Sequence, residues 1–490
     1  MKRLLAALGI LAGGAMIVLG LGWSSSQSEP VSQAVFERLP ASVELLVSAF
    51  IGAIVIGGIT GLARARARAA VVRGTVAAAV LVCRAIPVAT AVLLVQLAII
   101  FTPPAPHAGT ASPNAFDDRE LILFRIAPVL VLAVLFGAWA SVIFYDRFRA
   151  SLDVRMRRRD ILTTIATTAA LLGPALASAT ILVEPSFAWP GVQRVFGSAL
   201  HQFDVRLGAG FVVLYLSAVI AVEVCTGSAH TEQPAPRDPR RRLSPAGVAA
   251  CATLLAAVLA AAVAPLVTPA DPNSIDQAHW MGYPLPPGTA GHVLGTDENG
   301  RDLLARLLFG LRTSLGITAG AVVIATVLSA LAAWAFRSVR WIGTERALGV
   351  VAIRPFGGFP LILVAVMLLV GTTRSRDLPS PFLLAGLIGA VSWPAGIAAF
   401  RVSGARRLSG IVALTGGAFL LETTISSIGF GVQPPAPSLG NMLVNAFSNL
   451  TVAPAVTLAP WITITAVLGA LYALADALRD MPERRSERSD

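Results

Sequence analysis

About twelve apolar runs, each near the roughly 20 residues a helix needs to cross a bilayer, follow one another along this chain. They cover residues 4–22, 41–63, 75–101, 126–145, 161–183, 208–224, 247–267, 315–336, 348–371, 382–400, 410–424 and 456–475. Only 13% of the residues are charged, against about a quarter in soluble domains. The fold expected is an all-α integral membrane protein with about twelve transmembrane helices in a lipid bilayer.

A net charge of +11 invites a nucleic-acid partner, but its distribution argues against one. With the N-terminus inside, roughly 26 of the 38 Lys and Arg fall in inner loops and tails and about 10 outside. The inner clusters are Arg64/Arg66/Arg68/Arg73, 147–159, 237–242 and 479–488, whereas the long outer segments 102–120 and 269–300 are nearly free of basic residues. The charge is a topology signal that places both termini in the cytoplasm. Lys2-Arg3 and the run after them could pass for a signal peptide. No small-x-small site follows cleanly before Ser24, so the run reads as the first span.

Several chemistries are excluded. Lys2 is the only lysine, so a G-x-x-x-x-G-K-[ST] phosphate loop is impossible. Cys83, Cys225 and Cys251 have neither disulfide nor zinc spacing. The five histidines are scattered, and no metal site or catalytic constellation is expected.

Residues 228–244 are polar and rich in Pro and Arg, an exposed linker between two halves, 1–227 and 245–490, of about six spans each. Three features recur in order, as in parallel repeats. Pro40-Ala-Ser-Val opens span 2 and Arg312-Thr-Ser-Leu opens span 8. Arg84 and Pro87 in span 3 match Arg354 and Pro360 in span 9, and Glu184 and Glu422 end spans 5 and 11.

Residues 292–314 read His-Val-Leu-Gly-Thr-Asp-Glu-Asn-Gly-Arg-Asp-Leu-Leu-Ala-Arg-Leu-Leu-Phe-Gly-Leu-Arg-Thr-Ser. Gly295, Asp297, Asn299 and Gly300 are turn and helix-start residues. From Arg301 the period is helical. Leu303, Leu304, Leu307, Leu308, Leu311 and Leu315 share a face, while Asp302, Arg306 and Arg312 lie away from it, Asp302 and Arg306 as an i,i+4 pair. This predicts a short amphipathic helix lying in the membrane interface.

The block resembles, nearly residue for residue, the H-x-L-G-T-D-x-x-G-R-D-x-x-x-R-x-x-x-G-x-R-x-S-L signature of dipeptide/oligopeptide-type ABC importer permeases. His292, Gly295, Thr296, Asp297, Gly300, Arg301, Asp302, Arg306 and Arg312 carry it. The first half resembles one permease subunit of that family through Arg38-Leu-Pro-Ala-Ser-Val-Glu-Leu and Glu184-Pro-Ser-Phe-Ala-Trp-Pro-Gly. The second resembles the partner subunit, also through Glu422-Thr-Thr-Ile-Ser-Ser-Ile-Gly-Phe-Gly-Val-Gln-Pro-Pro, Ser438-Leu-Gly-Asn-Met-Leu and Asp476-Ala-Leu-Arg-Asp. The resemblance implies two usually separate subunits fused in one chain of a bacterial plasma membrane, importing peptides or peptide-like solutes. It also implies two ABC ATPase subunits, or a fused ATPase, holding ATP and Mg, and an extracytoplasmic substrate-binding protein.

Two loops depart from the family. Permeases of this kind carry an E-A-A-type coupling helix between spans 4 and 5 of each unit, and neither 146–160 nor 401–408 holds that pattern. At about 1.5 Å per residue, the second loop is too short for a docking helix and a turn. Either an ATPase docks through Arg147, Arg149, Arg155, Arg157, Arg158, Arg159, Arg406 and Arg407, or the chain is a permease-derived scaffold without ATP-driven transport. For the arginines of 155–159 the alternative is plain topology determination.

Arg84 and Arg354 are the basic residues well inside apolar runs. Charge there is expensive unless it meets a polar cavity or a partner, so they are candidates for the translocation path; snorkelling or pairing with an acid is the alternative. Glu184 and Glu422 are further path candidates, as a collar receiving cargo or as ordinary polar helix ends. Gly173-Pro174 and Gly357-Gly358 mark expected kinks.

Overall fold

The computed structural model describes residues 2–101, 118–150, 158–226, 243–268, 271–279, 282–289, 291–335, 354–373, 380–400, 402 and 404–481. In chain order the α-helices are α1 Lys2–Leu19, α2 Val31–Phe36, α3 Leu39–Arg66, α4 Ala70–Ala85, α5 Val88–Phe101, α6 Asp118–Ala150, α7 Arg158–Ser186, α8 Val192–Gln202 and α9 Val205–Thr226. They continue with α10 Pro245–Val267, α11 Leu303–Ala335, α12 Phe359–Thr373, α13 Pro381–Phe400, α14 Gly404–Ser427, α15 Ala446–Val452 and α16 Pro454–Arg479. Among the described residues the only β-type pairings are isolated bridges.

Eight of the described helices are long and apolar enough to cross a membrane, and α4 with α5 makes a ninth if that bent pair is one span. Three shorter apolar helices lie at Arg3–Leu19, Phe356–Met367 and Pro381–Ile397. The run 75–101, expected as one span, breaks by 99° between α4 and α5. Pro87 is the cause. It lacks an N–H and pushes the residue before it out of the helical region, and Ile86 is extended at ψ 118°.

The chain folds as two compact units. The first is Met1–Pro236 with Arg340–Arg374, and the second is Arg237–Val339 with Ser375–Asp490. A stretch of the half expected at 245–490 thus clusters with the first unit. Its 3-10 turn Arg354–Gly358 packs on α7, and α12 packs on α9. The seat is specific: Tyr215 Oη donates to the Gly357 carbonyl, and a Cβ on Gly208 would strike Met367 Cε at 2.4 Å.

Within the first unit, α3 lies along α6 in a seam of small residues. A Cβ on Gly57 would lie 2.5 Å from Ala140 Cβ, and one on Gly61 2.8 Å from Phe144 Cβ. Between membrane helices such close backbone approach replaces the hydrophobic drive that lipid removes. In the second unit, α11 packs on α13, α14 on α16 and α10 on α16.

Two further expectations are corrected. The interfacial helix after Arg301 is the first part of α11, which runs 33 residues without a break. No proline interrupts it, so the apolar run continues the same helix. The second inner loop is shorter than expected: α13 ends at Phe400 and α14 begins at Gly404, which places Arg406 and Arg407 inside a helix.

Candidate functional site

Ser42, in the first turns of α3 after Pro40, is the centre of a buried relay. Its hydroxyl donates to Glu184 Oε1 at 2.7 Å and accepts from the Val192 N–H at 2.8 Å. Glu184 Oε2 accepts from the Gln193 N–H at 2.8 Å. The turn after α7 is shaped for this. Trp189 N–H reaches the Glu184 carbonyl at 2.8 Å, and its indole N–H donates to the Ala41 carbonyl at 2.9 Å. A Cβ on Gly191 would sit 2.2 Å from Glu184 Oε2, so the carboxylate could not keep this position. The Glu-Pro-Ser-Phe-Ala-Trp-Pro-Gly stretch is thus a built turn around one carboxylate.

The second unit repeats the arrangement. Ser314, in α11, accepts from the Leu439 N–H at 3.1 Å and meets the Glu422 carboxylate, which also accepts from Ser426 Oγ at 3.0 Å. Gly440 closes the segment, since a Cβ would come 2.4 Å from the Thr423 carbonyl. In both units a helix serine accepts from an N–H of a segment that follows a long helix, Ser42 from Val192 at the start of α3 and Ser314 from Leu439 three turns into α11, and each serine lies beside a buried glutamate. Glu184 and Glu422 are each 0% exposed. The donors to Glu184 Oε1 and Oε2 and to Glu422 Oε1 come from inside the fold.

The signature block is a folded turn at the head of α11. Gly295 adopts φ +81°, and a Cβ there would meet the Leu285 carbonyl at 2.1 Å. Thr296 Oγ1 accepts from the Leu285 N–H at 2.8 Å. Asp297 Oδ1 accepts from the N–H groups of Asn299 and Arg301, closing the turn at Gly300. Asp297 Oδ2 pairs with Arg301 Nε at 2.8 Å and Arg306 Nε at 3.0 Å.

The i,i+4 pair expected between Asp302 and Arg306 is replaced by other partners. Asp302 Oδ1 caps α11 through the Ala305 N–H at 2.7 Å, and its Oδ2 meets His292 Nδ1 at 2.7 Å. Arg306, expected on the polar side, is buried. Its charge is met by Asp297, and its guanidinium also donates to the carbonyls of Pro272 and Pro435. Arg312 is exposed, as its place in the pattern implies.

Arg84 is buried in α4, its guanidinium 4.3 Å from the centre of the Trp139 ring on α6. This is an interior cation–π contact. The Arg354 side chain lies outside the described residues.

The inner arginines divide. Arg147 pairs with Asp160 at 2.9 Å between α6 and α7. Arg149, Arg158 and Arg159 are exposed, and Arg155 and Arg157 lie outside the described residues. Arg406 is buried, on the covered side of the first turns of α14. Arg407 is exposed and donates to the Val402 carbonyl at 3.1 Å. Among the described residues no group of three or more His, Cys, Asp or Glu is placed to hold a metal ion.

Sequence reasoning missed the relay serines as functional partners of the glutamates. Ser42 and Ser314 were visible as matched span openings, but no local pattern joins residues 142 apart, as Ser42 and Glu184 are.

No protein-family model matches the chain. Curated relatives do. The di/tripeptide transport system permease protein DppC of Pseudomonas aeruginosa is 30% identical over 267 residues, 46% of this chain and 84% of that protein. The oligopeptide transport system permease protein OppC of Mycobacterium tuberculosis is 26% identical over 282 residues, 49% of this chain and 92% of that protein. The glutathione transport system permease protein GsiD of Pectobacterium atrosepticum is 29% identical over 225 residues, 39% of this chain and 72% of that protein.

Proposed function

The chain belongs to the permeases of peptide ABC import systems, and from that premise we propose that one polypeptide supplies both membrane units of an importer. It is a multi-pass membrane subunit, and transporters of this kind work with ATPase and substrate-binding partners. The repeated Ser–Glu relay carries the fusion reading. Ser42 beside Glu184 and Ser314 beside Glu422 follow the matched motifs of the two halves, and each serine holds the N–H of a segment that follows a long helix. The relatives cover about half of this chain while being largely covered themselves, which leaves room for a second permease unit.

In this reading a binding protein delivers a peptide or peptide-like solute outside a bacterial plasma membrane. Two ATPase subunits, or a fused ATPase, bind ATP and Mg in the cytoplasm, where both termini lie. Arg84 and Arg354 belong to the solute path, while Glu184 and Glu422 hold the segments that shape it. Of the arginines expected to face an ATPase, Arg149, Arg158, Arg159 and Arg407 are exposed.

The test is gentle purification from native membranes, identification of the bound chains and assay of ATP hydrolysis. A stoichiometric ATPase pair with solute-stimulated turnover is the expected result. A second reading, a permease-derived scaffold without driven transport, is favoured by one observation: only three residues separate α13 from α14, where the family carries a coupling helix. Absence of any ATPase, under conditions that keep related importers intact, decides for the scaffold.

A further inference from the structure

The segment between α10 and α11 holds a histidine whose two ring nitrogens both face carboxylate oxygens. His292 Nδ1 lies 2.7 Å from Asp302 Oδ2, and Nε2 lies 3.2 Å from Asp276 Oδ2. Ionised carboxylates only accept hydrogen bonds, and a neutral imidazole carries a single N–H. Both contacts are hydrogen bonds together only when the ring holds two protons. The structure assigns to His292 a proton-binding site whose bound proton clasps the α10–α11 segment to the head of α11.

The two carboxylates belong to different pieces of chain. Asp302 caps α11 through the Ala305 N–H, so it moves with that helix. Asp276 lies in the preceding loop, which is joined to the block by its N–H to the Gly300 carbonyl and by the bridge between Ile275 and Arg301. His292 stands between them, its side chain 16% exposed, so water reaches the site and protons exchange.

The neighbouring charges are otherwise engaged. Asp297 is held by Arg301 and Arg306, and Glu298 accepts from Asn445 and Asn449. Among the described residues His279 shares a partner with His292, its Nδ1 lying 2.8 Å from Asp276 Oδ2.

The titration agrees in direction. The hydrogen bond with Asp302 raises His292 above the ordinary imidazole value; burial opposes this, and Asp276 reinforces it. Asp276 is held below the usual carboxylate range by His279 first and then by His292. A histidine raised in the folded state adds stability that is complete below its unfolded value, about 6.5, and is lost as pH rises through the folded value. The clasp is closed in acid and opens in alkali.

The test is hydrogen–deuterium exchange on the full chain in lipid nanodiscs from about pH 5.5 to 9, corrected for intrinsic rates. It is read on peptides covering 284–300. Wild-type protection should fall about tenfold through a midpoint above that of free imidazole. His292→Gln should show the low protection at every pH, with no transition. Asp276→Asn should keep the transition but move its midpoint toward free imidazole, and His279→Gln should retain a transition assigned to His292. A flat wild-type profile overturns the proposal. So does an unchanged transition in His292→Gln, or an unmoved midpoint in Asp276→Asn, which keeps the link to Asp302 and guards against a His292 variant that merely unfolds the segment.

Discussion

Asp297 and Arg306 illustrate how one side chain decides a local structure. Their side chains are 6% and 5% exposed, and the carboxylate also serves Arg301 and two backbone N–H groups. Removing one partner of a buried ion pair strands the other, at about 3–5 kcal/mol. Asp297→Ala should therefore lower the thermal unfolding midpoint markedly, while Arg312→Gln, at an exposed site of the same block, should barely move it. Equal shifts would mean that the ion cluster does not hold the block. Arg84 makes a functional prediction at the same scale. Arg84→Met keeps an apolar stem against Trp139 but deletes the charge, so it should abolish solute uptake with insertion and amount unchanged; normal uptake would remove Arg84 from the path. The block's special residues were visible in sequence because Gly295 and Asp297 act on near neighbours. The burial of Arg306 was not, since Pro435, one of its acceptors, lies 129 residues away.

At the scale of elements, the seam between α3 and α6 depends on which glycines face the partner helix. Gly57 is closed in by Ala140 and the Gly137 carbonyl, whereas a Cβ on Gly58, the next residue, meets nothing within 4 Å. Gly57→Val should force the helices apart and reduce the folded fraction recovered in detergent. Gly58→Ala should be neutral or stabilise by up to about 1 kcal/mol, because alanine is the better helix former. Similar losses in both would show that the contacts between α3 and α6 do not govern the result. Most described helices contain an expected apolar run, but α11 begins at Leu303, well before the run at 315. The break between α4 and α5 was missed although Pro87 was in view, because apolar composition continues across it and only backbone geometry records the bend.

For the whole molecule, the informative fact is that 354–373 belong to the first unit. A chain cut at Pro236 would leave that unit without the turn that packs on α7 and the helix that packs on α9. Residues 1–236 expressed alone should be unstable and protease-sensitive, and co-expression with 237–490 should restore protection; an N-terminal fragment as stable alone as in the full chain would contradict this. The sequence by itself determined that the chain is a helical membrane protein, where its apolar segments begin and end, that it cannot hold a lysine-based phosphate loop, and that its signature block is a turn opening a helix. These follow from hydropathy, composition and interactions between near neighbours. Only the tertiary structure decided that Glu184 and Glu422 face inward onto serines, that Arg306 and Arg406 are covered, and that part of the second half completes the first unit. Those outcomes depend on which helix packs beside which, and apolar segments facing lipid and facing protein have nearly the same composition.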